Sequence, residues 1–240
     1  MKFRIALVAS MLLFAAHASA QQQPLRIGFI TTLSGPFSPL GVDIRDGFNL
    51  ALKLSGGKLG GLTVQMSSGD DQTNPEVGRQ LMDRYIKADR AHLITGILGS
   101  NVHVAVAPIA AGLKVPYLMP NGGPSQLAGA ACSPFYSSTA WQNDAYHEAT
   151  GQYAASKSMN NIYMIAPNYP AGKDALTGFK RFYKGKVTDE VYVKLGQLDF
   201  AAEISQMRAA KPETVYAFLP GGMGVNFIKQ FVAAGLSKDI

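Results

Sequence analysis

The chain has 240 residues, of which 47% are hydrophobic and 16% charged, a composition typical of a globular protein and not of a disordered one. Its formal charge is +6, but the basic residues form no clustered run, which argues against a nucleic-acid partner. Cys132 is the single cysteine, so an internal disulfide is excluded, and we expect its side chain to be a small buried apolar group.

The first 20 residues, MKFRIALVASMLLFAAHASA, have the organisation of a secretory signal. A basic start precedes an apolar stretch, and Ala18-Ser19-Ala20 forms a small-residue cleavage site. The apolar stretch is shorter than a membrane-spanning helix requires. We therefore predict a signal peptide over residues 1–20 and a mature protein outside the cytoplasm, in the periplasm if the cell is Gram-negative.

Short apolar runs alternate with helical patterns along the rest of the chain. The predicted strands are residues 26–30, 62–66, 92–98, 116–119, 135–138, 161–166, 190–194 and 214–219. Most of these runs are continuously apolar, which is typical of strands that are covered on both faces of a parallel sheet. Repeated strand–helix units therefore predict an α/β fold.

The helical segments between the strands carry their own boundary signals. Gly56 and Gly57 are predicted to end the helix over residues 41–54. Asn74 can cap the next helix, with Pro75 at its first position. The pattern changes around residues 134–143, where a strand runs into a loop without a helix. We predict an N-terminal lobe over residues 24–140 and part of a second lobe over residues 141–240.

Motifs for enzymatic chemistry are missing from the sequence. The four histidines lack zinc-ligand spacing, and neither a phosphate-binding P-loop nor a nucleophile elbow occurs. Gly221–Gly224 lack the full dinucleotide-binding spacing. Asp70 and Asp71 resemble a carboxylate pair, but a solvated turn with local hydrogen bonds is the favoured interpretation. We therefore predict no catalytic residue, no metal and no cofactor.

Four loops follow predicted strands, at the sheet edge where α/β proteins bind ligands. They are TTLSGPFSPLG, which contains Leu40, then Gly99-Ser100-Asn101, then PNGGPS and finally APNYPAGKD. Ser100 is expected at a helix start, where its hydroxyl and free N–H groups can hold an anion such as a carboxylate. Its alternative role is simple N-capping of that helix.

Two aromatic residues have open interpretations. Tyr169 is expected to be exposed on its loop, where it either offers a ligand a flat face and a hydroxyl or packs as a surface aromatic. Trp141, the single tryptophan, either lines the cleft or packs at a hinge or in the core. The candidate ligand-binding residues are Leu40, Ser100, Asn101, Gly122, Gly123, Trp141 and Tyr169.

Several stretches resemble the leucine/isoleucine/valine-type periplasmic binding proteins, the type I solute-binding components of ABC transporters. The matching stretches are LRIGFITTLSGPFSPLGVDIRDGFNLAL, GILGSNVHVAVAPIA, VPYLMPNGG, NDAYHEATGQYA, IYMIAPNYPAGKDALTGFK and VYAFLPGGMGVNFIKQFVAAGL. The resemblance implies two Rossmann-like parallel-sheet lobes with a ligand cleft between them. Because members of this family are longer, the chain resembles a first lobe plus an incomplete second lobe, which implies a C-terminally truncated member.

The resemblance also implies roles for individual residues. Ser100 matches the serine that holds the ligand carboxylate, and Gly122 and Gly123 match the loop whose backbone groups also hold it. The family often has a hydroxyl residue in this loop, so glycine at position 123 is expected to widen the site. Leu40 matches a position that packs on the ligand, and Tyr169 matches the loop that covers it.

We therefore predict a periplasmic binder for branched-chain or aromatic amino acids or related small carboxylates, acting as a monomer with a membrane ABC permease. SSTAWQNDAYHEATG resembles a branch of the family associated with aromatic acids. Two alternatives remain open. One is a receptor domain of the same fold that senses an amide or another small molecule. The other is a secreted enzyme acting on a small acid, which the lack of a nucleophile–base pair disfavours.

Overall fold

Two β-sheets organise the computed structural model of the protein, which describes residues 22–238 and 240. The predicted signal peptide lies outside the described residues. The first sheet contains β1 (Leu25–Thr31), β2 (Lys58–Leu59), β3 (Leu62–Asp70), β4 (Leu93–Thr95), β5 (Tyr117–Met119) and β6 (Tyr136–Ser138). Its strand order is β2-β3-β1-β4-β5-β6, and all neighbours are parallel except β2 and β3.

The second sheet has three parallel strands, β7 (Ile162–Pro167), β8 (Val187–Val193) and β9 (Thr214–Ala217), in the order β8-β7-β9. The helices are α1 (Ser38–Leu54), α2 (Pro75–Lys87), α3 (Ser100–Gly112), α4 (Ser125–Ala128), α5 (Ala145–Ser156), α6 (Pro170–Phe182), α7 (Ala201–Ala210) and α8 (Gly222–Ala233), followed by a short 3₁₀ turn over Leu236–Lys238. We call the first sheet with α1–α4 the first lobe, and the second sheet with α5–α8 the second lobe.

The predicted α/β class is confirmed, and each of the eight predicted strands overlaps an observed one. Asn74 caps α2 as predicted, because its Oδ1 accepts a hydrogen bond of 2.9 Å from the backbone N–H of Glu76. Gly56 and Gly57 follow the end of α1 with φ angles of +67° and +75°, a conformation that suits glycine. The two-residue β2 and the one-turn α4 are not predicted, since neither is long enough to show periodicity.

Strand β7 is buried on both faces, as the continuous apolar runs predict for a covered parallel sheet. Tyr163 and Ile165 belong to the apolar core formed with α7 and α8. Met164 and Ala166 alternate with them and belong to the core formed with α5 and α6. The predicted division of the chain after residue 140 lies between β6 and α5 and stays a proposal.

In the first lobe, the expected burial of Cys132 and the expected exposure of the Asp70–Asp71 turn are not observed as predicted. Cys132 is exposed rather than buried, because it belongs to a run of exposed residues, 128–132, at the end of the short α4 and in the loop after it. Asp70 and Asp71 do form the predicted local hydrogen bonds, to the N–H groups of Gln72 and Thr73 at 2.9 Å each. Asp71, however, is fully buried rather than solvated, and burial raises the pKa of its carboxyl.

No helix within residues 22–238 combines the length and the apolar character that crossing a membrane requires.

Candidate ligand-binding site

A cavity of about 160 Å³ lies between the two lobes, at the carboxyl ends of the parallel strands. The four predicted loops contribute to its wall, after β1, β4, β5 and β7. Five of the seven candidate residues line it, namely Leu40, Ser100, Gly122, Trp141 and Tyr169. The loop after β9 adds Phe218 and Pro220 from the second lobe. The structure therefore brings all four predicted loops together around one space, as expected for an α/β fold.

Ser100 occupies the first position of α3, with Gly99 as the N-cap residue. Its side chain is 2% exposed and makes no capping hydrogen bond, so the N-capping alternative is not observed. Instead, Ser100 Oγ accepts a hydrogen bond of 3.1 Å from Nδ2 of Asn143. Among the described residues, the backbone N–H groups of Ser100 and Asn101 have no acceptor. This helix terminus can therefore receive an anion from the cavity.

Asn101 does not reach the cavity, although it is a candidate residue. Its Nδ2 donates a hydrogen bond of 2.8 Å to the carbonyl oxygen of Thr73, in the loop that leads from β3 to α2. The Oδ1 atom is buried without a partner among the described residues. The side chain of Asn101 therefore ties two loops of the first lobe together and does not face the ligand space.

Gly122 and Gly123 behave differently. Gly122 lines the cavity with a φ angle of +68°, and a Cβ there would lie 3.3 Å from Ser100 Oγ. Gly123 lies outside the cavity lining, and its N–H donates a hydrogen bond of 2.9 Å to Oδ1 of Asn143. A Cβ on Gly123 would lie 2.5 Å from the carbonyl oxygen of Trp141. Glycine at position 123 therefore makes room for the neighbouring backbone, and the expectation that it widens the site is wrong.

His103 is hydrogen-bonded to the loop that contains Gly122 and Gly123. It is fully buried in α3, and its Nε2 lies 2.7 Å from the carbonyl oxygen of Asn121. Its Nδ1 lies within hydrogen-bond distance of the Tyr117 hydroxyl. Burial lowers the pKa of His103 to about 4, so the ring is neutral near pH 7. Since a carbonyl only accepts, Nε2 carries the proton and Nδ1 accepts from Tyr117.

Aromatic rings form the apolar part of the cavity wall. They belong to Phe37, Trp141, Tyr146, Tyr169 and Phe218. Trp141 contacts Tyr146 edge to face, with ring centroids 5.6 Å apart, and remains 56% exposed. Tyr169 is half-buried rather than exposed as expected, and burial raises the pKa of its hydroxyl. Among the described residues that line the cavity, none is Lys, Arg, Asp or Glu.

Asn143 is a buried residue of this site whose role the sequence does not predict. Its side chain is 2% exposed, and it lies between Trp141 and α5. Besides Ser100 and Gly123, its Nδ2 contacts Oδ2 of Asp174 at 3.1 Å. Asp174, in α6, also accepts hydrogen bonds from the N–H and hydroxyl of Ser125 at 3.1 and 2.6 Å. These hydrogen bonds join the first lobe to α6 of the second lobe.

The loop after β1 also joins the two lobes. The N–H of Gly222, at the start of α8, donates a hydrogen bond of 3.0 Å to the carbonyl oxygen of Pro36. Phe37 is 5% exposed and packs in the same apolar core as Leu219 and Met223 of the second lobe. The cavity is therefore closed on this side by direct contact between the lobes.

Metal chemistry receives no support from the described residues, which contain no group of three or more His, Cys, Asp or Glu side chains placed to hold an ion.

Comparison with known proteins shows what the chain is similar to. A family model described as "Periplasmic binding protein" matches residues 24–240. The Leu/Ile/Val-binding protein homolog 6 of Brucella melitensis is 26% identical over 244 residues, covering 98% of this chain and 61% of that protein. The chain thus spans about three fifths of the length of this curated relative.

Solved structures of solute-binding proteins are also similar to this chain. One is a solute-binding protein of an ABC transporter from R. palustris in complex with benzoate, with a TM-score of 0.86 and 29% identity. The alignment covers 89% of this chain and 60% of that one. Another is a solute-binding protein from Rhodopseudomonas palustris BisB5 in complex with 3,4-dihydroxybenzoic acid, with a TM-score of 0.84, 28% identity and coverage of 90% and 60%.

Proposed function

Because this chain belongs to the periplasmic binding protein family, we propose that it is the periplasmic solute-binding component of an ABC importer. Its ligand class comprises branched-chain or aromatic amino acids and related small carboxylates. The ligand lies in the cavity between the lobes, and closure of the lobes around it is recognised by a membrane permease. Similarity to a Leu/Ile/Val-binding protein homolog and to solute-binding proteins in complex with benzoate and 3,4-dihydroxybenzoic acid supports the proposal.

The observation that carries the proposal is the combination of two chemistries around one cavity. The N-terminus of α3 presents two N–H groups without acceptors together with the Ser100 hydroxyl. Five aromatic rings line the same space, and no charged side chain lines it among the described residues. Helix N-termini favour anions, and aromatic walls favour flat apolar bodies. Within the proposed class, this arrangement fits an aromatic carboxylate best.

The same cavity gives no support to catalysis. A hydrolytic site needs a nucleophile within hydrogen-bond reach of a base. The cavity hydroxyl of Ser100 instead accepts from an amide nitrogen, which cannot take its proton. His103, the nearest buried histidine of the first lobe, has both ring nitrogens engaged with Tyr117 and Asn121. A binding role without turnover is therefore the function that the geometry supports.

A ligand screen tests the proposal. The purified protein is melted with benzoate, phenylalanine, leucine and benzamide, and binding is followed by the fluorescence of Trp141, which lines the cavity. A ligand at a thousand times its Kd should stabilise the fold by about 4 kcal/mol. We expect benzoate to stabilise most and benzamide, its neutral counterpart, far less. The proposal fails if no carboxylate shifts the melt, and equal binding of benzamide would favour the amide-sensing receptor instead.

Location and assembly are part of the proposal. The sequence of residues 1–20 supports export to the periplasm, and fractionation of expressing cells would test it. We propose that the protein acts as a monomer, since one chain carries the loops of both lobes that line the cavity. Light scattering after size-exclusion chromatography should give the mass of a single chain, with and without benzoate.

A further inference from the structure

We propose that Asn143 and Asp174 are positioning residues that direct the hydroxyl proton of Ser100 into the cavity. The inference rests on the proposed function and adds a cause for its selectivity. All three side chains are at least nine-tenths buried, with exposures of 2% for Asn143 and Ser100 and 7% for Asp174. None of them can therefore exchange its protein partners freely for water.

The orientation of the Asn143 amide follows from its neighbours. Its Oδ1 faces the N–H of Gly123 at 2.9 Å, and its Nδ2 faces Oδ2 of Asp174 at 3.1 Å. A flipped amide would place its NH₂ against the Gly123 N–H and its oxygen against a carboxylate oxygen. Both contacts would then be repulsive, since donor would meet donor and acceptor would meet acceptor. The NH₂ group therefore points towards Ser100 and Asp174.

The orientation of the Asn143 amide determines where the Ser100 hydroxyl can donate its proton. Its Oγ accepts from Asn143 Nδ2 at 3.1 Å, so one of the two lone pairs of the hydroxyl is engaged within the protein. Among the described residues, no group accepts the Ser100 hydroxyl proton. That proton is left for an acceptor in the cavity, which Ser100 lines. A carboxylate is the stronger acceptor of that proton, because its two oxygens share a negative charge, whereas the single carbonyl oxygen of a primary amide is neutral.

Asp174 makes the arrangement stable. Its carboxylate accepts from the hydroxyl of Ser125 at 2.6 Å, from the N–H of Ser125 at 3.1 Å and from Asn143. Because α6 belongs to the second lobe and Ser125 to the first, this carboxylate holds the Asn143 amide in place from across the lobe boundary. The NH₂ group of Asn143 thus donates to both Asp174 and Ser100, and the hydroxyl of Ser100 is left to donate to the ligand. We call this order of donors and acceptors the polarity of the site.

The test exchanges the amide at position 143 with the carboxylate at position 174. This exchange reverses the polarity and leaves the number of carboxylates unchanged. In the double variant Asn143→Asp with Asp174→Asn, the carboxylate at position 143 can accept from the Gly123 N–H, the amide at position 174 and the Ser100 hydroxyl. The proton of Ser100 is then drawn away from the cavity. Wild type and variant are titrated with benzoate and benzamide, or with phenylalanine or leucine and its amide if that acid binds more tightly.

We expect the ratio of carboxylate to amide affinity to fall by about 10-fold in the double variant, because the carboxylate loses a charged hydrogen bond and the amide loses a weaker, neutral one. Melting curves establish that the variant is folded. A folded variant with the wild-type ratio would overturn the inference. If wild type itself shows no preference for carboxylates, it is the proposed function that fails.

A double-mutant cycle separates positioning from general structural support. Asn143→Ala is made in wild type and in Ser100→Ala, and the same affinity ratio is measured. If Asn143 acts through Ser100, its substitution lowers the ratio only where Ser100 is present. An equal loss in both backgrounds would show that Asn143 acts on the site by another route, and would contradict the inference even if the polarity-reversed variant does not fold.

Discussion

Gly123 and Asn143 exchange two hydrogen bonds. The N–H of Gly123 donates to Asn143 Oδ1 at 2.9 Å, and the backbone N–H of Asn143 donates to the carbonyl oxygen of Gly123 at 2.8 Å. The pair fastens the loop after β5 to the segment that enters the second lobe, and the carbonyl of Trp141 lies against the Cα of Gly123. Because the Trp141 carbonyl is so close to Gly123, no space remains for a side chain at position 123.

Gly123→Ala should therefore destabilise the fold. The added Cβ would lie 2.5 Å from Trp141 O, and overpacking of this kind costs about 1–3 kcal/mol. Urea unfolding followed by circular dichroism measures the loss. Gly47→Ala is the matched control, because a Cβ there meets nothing within 4 Å and alanine is favoured over glycine inside a helix by about 0.5–1 kcal/mol. Equal effects of the two substitutions would contradict the steric explanation.

Ser100→Ala should weaken the binding of benzoate by about 1–3 kcal/mol, since one hydrogen bond to a charged group is lost. Isothermal titration calorimetry measures the affinity. Ser55→Ala, at the exposed end of α1, serves as the control and should leave binding unchanged. Undiminished affinity in Ser100→Ala would remove this hydroxyl from the ligand contacts.

Tyr169 should contribute through its ring more than through its hydroxyl. Tyr169→Phe keeps the aromatic face and is expected to retain benzoate affinity, whereas Tyr169→Leu should lose about 0.5–1.5 kcal/mol, the amount associated with an aromatic pair. Trp141 fluorescence titrations give both values. Equal losses in the two variants would assign the contribution to the hydroxyl instead.

Protonation of His103 should lower the stability of the fold as the pH drops from about 6.5 to about 4. The pKa of His103 is lowered from 6.5 to about 4 by burial, so the unfolded chain binds more protons than the folded one in this window. The slope per histidine is at most about 1.4 kcal/mol per pH unit. His147, whose pKa burial also lowers to about 4, acts in the same direction.

Urea unfolding at several pH values tests this expectation, with the slope of stability against pH as the readout. In His103→Gln the slope between pH 6.5 and 4 should lose the contribution of one histidine, whatever the variant's stability at pH 7. An unchanged slope would show that His103 is not the titrating group.

The order of strands and helices follows from the sequence because it depends on local patterns. A strand buried on both faces must be apolar throughout, as β7 is, and a helix start carries its own signal, as Asn74 does. Ser100 could be placed for the same reason, since it follows the apolar run 92–98 that predicts a strand, and it begins a helix. These properties depend on residues close together in the chain.

Local sequence patterns do not predict the role of Asn143 in the site. Its partners Ser100, Gly123 and Asp174 lie 20 to 43 residues away along the chain, and they meet only when both lobes have folded. The exposure of Cys132 is a similar case, because the burial of a small residue depends on which elements cover its loop. The sequence prediction for glycine at position 123 is wrong for the same reason, since its spatial neighbour is the backbone of Trp141, which is distant along the chain.

Cys132 and Trp141 are the single cysteine and the single tryptophan of the chain, and both line a second cavity of about 210 Å³ beside the candidate site. Trp141 also belongs to the wall of the candidate site itself. The protein therefore contains a natural energy donor in its proposed ligand wall and, close by, one exposed thiol for a fluorescent acceptor. A dye attached there would turn the protein into an optical sensor of its proposed ligand without any substitution.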